Sequence, residues 1–74
     1  MRVERDLLIE RLIERLQDEN PIDRRNAAGA LRLHGERAIS ALPALQRLLD
    51  DPSPMVRAEA QRAVERLAGR ARVA

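Results

Sequence analysis

The chain has 74 residues, enough for one small domain, and carries 14 Arg and no Lys against 12 acids, a net charge of +2. Cys, Phe, Trp, Tyr and Thr are absent. That composition excludes a disulfide framework, a thiolate metal site, a cysteine nucleophile and an aromatic platform for a nucleobase or a quaternary ammonium. Of the apolar residues 12 are Ala, so about 21 side chains are large enough to fill a core.

Helical periodicity dominates from the start. Leu8, Ile9, Leu12, Ile13 and Leu16 recur at three- and four-residue steps. They fall within an arc of roughly 140° on a helical wheel. Val3 and Leu7 project outside that arc, as frayed terminal residues or as a contact for another subunit. Asp18-Glu19-Asn20-Pro21 interrupts the pattern. Asn20 suits an N-cap, Pro21 the first helical position, and Asp23 the positive end of the dipole. A second helix is therefore predicted from Pro21 to about His34, stopped by Gly35. A third begins near Ser40, since Pro43 would clash with the Ile39 carbonyl in a longer helix, and runs to about Asp50. A fourth starts with Ser53 as cap and Pro54 behind it, and ends near Ala68-Gly69. No β-strand pattern appears.

The halves repeat. A shift of 33 residues lays Leu12 on Leu45, Leu16 on Leu49, Asp18 on Asp51, Pro21 on Pro54, Arg24 on Arg57 and Ala27 on Ala60. A period of this length marks a stacked-repeat architecture, in which each helix pair buries its apolar face against the next. Asp23 and His34 depart from the pattern, standing where Val56 and Leu67 stand in the second half. A terminal repeat with one face in water tolerates such polar substitutions.

The stretch Asp51-Pro52-Ser53-Pro54-Met55-Val56-Arg57, continuing through Val64, resembles the HEAT-like repeat of phycobilisome lyases. An Asp-Pro turn there precedes a helix carrying Val-Arg and then Ala. Ala41-Leu42-Pro43-Ala44-Leu45 resembles the first helix of such a repeat. The resemblance implies an all-α fold of two stacked helix pairs, four antiparallel helices in a short right-handed α-solenoid. Repeat one then covers about residues 3–35 and repeat two about 36–69 of a single domain spanning 1–69. Residues 70–74 form a basic tail. It further implies that Arg24 and Arg57 pair with the turn acids Asp18 and Asp51.

Some residues fit no core stripe. On the second helix Ile22, Asn26, Gly29 and Leu33 lie within about 60° of each other. Their counterparts in the second half are Met55, Glu59, Arg62 and Arg66. Gly29 in mid-helix costs about 1 kcal/mol relative to Ala, a cost tolerated where another backbone approaches closely. The resemblance places this face on the concave, ligand-binding side. The expected contact surface has Ile22, Leu33 and Met55 as anchors, Asn26 and Gly29 between them, and Arg62 and Arg66 as polar rim. Scattered surface apolars are the ordinary alternative.

Catalysis finds no foothold. His34, Ser40 and Ser53 stand in no nucleophile-elbow setting, one His cannot build a metal site, and no glycine-rich loop cradles phosphate. Glu10, Glu14 and Asp18 beside Arg11 and Arg15 read as ordinary surface pairing. Arg62, Arg66, Arg70 and Arg72 could meet DNA phosphates, but Glu59 and Glu65 interrupt them and the net charge is small. No apolar run approaches the ~18–20 residues of a membrane span. The acidic start is unlike a secretory leader. The expectation is a cytoplasmic, cofactor-free interaction module, a scaffold, adaptor or assembly subunit, that binds another protein or itself as a homo-oligomer. The resemblance adds two alternatives, an accessory to bilin attachment or pigment-protein assembly and weak DNA binding through a concave basic face.

Overall fold

A computed structural model describes residues 5–73, and all regular structure among them is helical. Helix α1 spans Leu7–Arg15. Asp6 caps it from an extended conformation, its carboxylate accepting from the Ile9 N–H at 3.3 Å. Ile9 and Leu16 are buried, whereas Leu7 stands in solvent; Val3 lies outside the described residues. The helix closes by tightening: the Leu16, Gln17 and Asp18 amides donate to carbonyls three residues back, each at 3.1 Å.

Helix α2 spans Pro21–His34, with the boundaries read from its caps. The Asn20 side chain accepts from the Ile22 N–H at 2.9 Å and Pro21 occupies the first turn. Gly35 ends the helix at φ +60°, where a Cβ would be strained.

The third arm differs from the continuous helix expected between Ser40 and Asp50. It is a 3₁₀ segment over Gly35–Ala41, a short α3 over Leu42–Arg47, and a further 3₁₀ turn over Leu48–Asp50. Pro43 supplies the reason. In a continuous α-helix its missing N–H would orphan the Ile39 carbonyl. The 3₁₀ register lets the Leu42 N–H donate to Ile39 instead. The described chain therefore has three helices of substantial length and one composite arm, in place of four regular helices.

Helix α4 spans Pro54–Val73 and passes the stop expected at Ala68-Gly69. Gly69 does not adopt positive φ, so it makes no helix-ending turn, and the Ala and Arg beyond it are good helix formers. Residues read as a basic tail thus continue α4 as far as Val73. Val56, Ala60, Ala63 and Leu67 form the buried stripe of α4 at helical spacing. It packs against Ala27, Ala28 and Leu31 of α2 and against Ala38, Ala41 and Leu45 of the third arm. The small alanines allow the helices to approach closely.

Candidate functional site

The two turns before α2 and α4 are built alike. Asp18 Oδ1 accepts from the Asn20 N–H and Asp51 Oδ1 from the Ser53 N–H, both at 2.9 Å. Arg24 and Arg57, each on the first turn of the helix that follows, reach back over their own turns. Arg24 Nη1 donates to the Asp18 carbonyl at 2.7 Å, and Arg57 Nη1 donates to the Asp51 carbonyl at 2.7 Å.

The rest of the Arg24 guanidinium bridges to the second half. Nε donates to Asp51 Oδ2 at 2.8 Å and Nη2 to Oδ1 at 3.0 Å. The carboxylate of the buried Asp51 is thereby held by a two-pronged charge-assisted clamp plus a backbone amide. These contacts hold the Asp51 carboxyl below the usual carboxylate range, with the Arg24 hydrogen bond the largest cause and burial opposing it. The same bond raises the Arg24 guanidinium above its ordinary value. The resemblance allowed Asp18 or Asp51 for Arg24. The carboxylate it holds is Asp51, so the pair ties one half of the molecule to the other. This clamp has no reacting group to offer.

The residues expected on one contact surface separate into two groups. Ile22, Asn26 and Leu33 face water, Ile22 with 48% and Leu33 with 74% of its surface exposed. Gly29 lies instead in the seam between α2 and α4, and Met55 stands at its edge, still 37% exposed. Arg25 Nη1 sits 3.4 Å from Met55 Sδ. Over Gly29 lies the Glu59 side chain, its Cδ 3.6 Å from where a Cβ would stand. The close neighbour of Gly29 is thus a carboxylate side chain, at a distance an alanine would accept.

Glu59 organises this seam. Arg32 Nε donates to one of its oxygens at 2.8 Å and Arg62 Nη1 to the other at 3.1 Å. Arg62 is therefore engaged within the molecule, while Arg66 forms no ion pair among the described residues. A second contact absent from the sequence reading links Asp6 to Arg37 at 2.9 Å, tying the start of α1 to the third arm. The sequence carried a faint signal for Glu59, an acid standing where the first half has Asn26. Nothing local signalled Arg32, which lies 27 residues away.

The candidates for chemistry stay apart. His34 Nδ1 lies 3.5 Å from Arg37 Nη1. Among the described residues no group of three His, Asp or Glu side chains converges. Along α1, Arg5, Leu7, Glu10, Arg11, Ile13 and Glu14 line an open depression, and two of them, Arg5 and Glu10, form an ion pair.

The model of the HEAT-repeat family matches residues 9–74. The chain belongs to the HEAT-repeat family. Repeats of this family generally act as scaffolds for protein interaction and are generally not enzymes. In a HEAT protein, clamps such as Arg24–Asp51 belong to the packing of neighbouring units, which leaves exposed helix faces for binding. No curated protein and no solved structure matches the chain. No helix among the described residues is long and apolar enough to cross a membrane.

Proposed function

We propose that this HEAT-repeat chain is a non-catalytic, cytoplasmic interaction module, and that it binds another protein or a second copy of itself through the outer face of α2. In this reading α1, α2, the composite arm and α4 form two stacked antiparallel pairs of a short right-handed solenoid. The observation that carries the proposal is the exposure of Ile22 and Leu33 on a helix whose opposite face is fully buried. Two large aliphatic side chains on one helix face, with Asn26 between them, suit an apolar anchor with a polar neighbour. Arg66, which forms no ion pair among the described residues, supplies a cation at the rim, and Met55 and Arg62 adjoin it.

The chain's Asp-Pro turn and Val-Arg helix start favour kinship with the phycobilisome-lyase type of HEAT repeat. Co-purification with a bilin-bearing protein would extend the proposal to pigment-protein assembly. The test of the main reading is Leu33→Arg. The variant should keep the helical circular dichroism of the parent and lose at least tenfold in partner binding or self-association. Unchanged solution mass together with unchanged partner capture would refute the reading.

A further inference from the structure

The seam inside this molecule is a template for a second seam between molecules. Three of the contacts that join the first half to the second, Arg24–Asp51, Arg32–Glu59 and Arg25–Met55, have counterparts 33 residues along at the open ends of the stack; Asp6–Arg37 does not, since Ile39 stands at the position corresponding to Asp6. Arg24 clamps Asp51; the corresponding residues are Arg57 at one end and Asp18 at the other. Arg57 already holds its own turn carbonyl as Arg24 does, and its Nε and Nη2 make no hydrogen bond among the described residues. Asp18 accepts its turn amide through Oδ1 as Asp51 does, and Oδ2 accepts no hydrogen bond from the described residues.

The remaining positions change in matched pairs. Arg25 against Met55 becomes Ala58 against Ile22, a cation–sulfur contact replaced by an apolar one. Arg32 against Glu59 becomes Glu65 against Asn26, where an amide can donate to a carboxylate. Had Asn26 been acidic like its counterpart, two carboxylates would have faced each other. Burial follows the same logic. Leu16 is 2% exposed, while its counterpart Leu49 is 38% exposed. Ala41 is fully buried, while its counterpart Leu8 is 48% exposed.

We infer that a second copy of this chain docks head to tail, seating Arg57 of one copy on Asp18 of the next and covering Ile22 with Ala58. The inference rests on the reading of the outer face of α2 as a contact surface, and it names the partner and the opposing surface. Such a contact is heterologous, so it extends into open arrays or rings instead of closing as a two-fold dimer.

The test is light scattering from micromolar to millimolar protein on the full chain, together with Arg57→Glu and Asp18→Asn. Asn at position 18 can still accept from the Asn20 amide, so the turn is retained. The parent's mass should rise with concentration above the 8.4 kDa monomer. Each variant alone should associate at least tenfold more weakly. An equimolar mixture should recover association but stop at 1:1 pairs, since only one junction is intact. Because Arg57 also braces its turn, the exposed Ala58→Glu provides a second variant that leaves the brace in place, and it should block assembly too. A parent mass that stays monomeric throughout overturns the inference. Loss of foreign-protein capture by Leu33→Arg would in that case leave the contact reading of α2 standing. Association that survives both Arg57→Glu and Ala58→Glu also overturns it.

Discussion

Leu16 and Leu49 occupy the same position of the repeat, so truncating each to Ala removes the same atoms from different surroundings. Leu16 is buried in the core cluster, and its removal leaves a cavity there. Buried Leu→Ala changes cost about 3–5 kcal/mol. Leu49 already has more than a third of its surface in water, and its truncation should cost about 1 kcal/mol. A domain of this size has about 4–11 kcal/mol of total stability. Leu16→Ala should therefore remove a large part of it, and Leu49→Ala little. The assay is urea unfolding followed by far-UV circular dichroism, because the chain has no aromatic residue to report by fluorescence. It should be run at low micromolar concentration, so that association does not stabilise Leu49. Equal costs at the two positions, or a larger cost at Leu49, would refute the stacked seam between the halves.

Three further outcomes follow from single positions. Gly29→Ala should stabilise the fold by about 0.5–1 kcal/mol, since the new methyl would make ordinary contact with Glu59; a loss of stability in thermal melts would show that the seam is tighter than described. Gly35→Ala should destabilise by about 1–3 kcal/mol despite open space around it, because the cost is its positive φ; an unchanged melting temperature would contradict the helix stop. The depressed Asp51 carboxyl should contribute stability that is fully present above the ordinary Asp value near 3.8 and lost as pH falls through its lower folded value. Asp51→Asn should flatten that acid limb of the stability–pH curve, and an unaltered limb would remove the clamp from the account.

Much of the fold was legible because its signals are local. Asn20, Pro21 and Gly35 bracket α2 within a turn of its ends, and cap chemistry acts over that distance. The 33-residue correspondence exposed the repeated turn acids and arginines. What escaped depends on longer-range or conformational choices. Pro43 was visible as a breaker, but the switch of Leu42 to a 3₁₀ bond that rescues the Ile39 carbonyl is a backbone response. Gly69 has the composition of a stop without the conformation of one. The division of the candidate surface was hidden because it depends on how α4 lies on α2. A helical wheel ranks residues around one axis, and it does not say that Glu59 covers Gly29 while Ile22 remains outside.

Docking of a second copy on the outer face of α2 is the contact that the proposed assembly requires. Amide chemical-shift mapping across the concentration series tests it most directly. Shifts should concentrate at Ile22, Asn26 and Leu33 on α2 and near Arg57 and Gln61 on α4. Shifts confined to the depression on α1, or none up to millimolar protein, would contradict self-docking through that face.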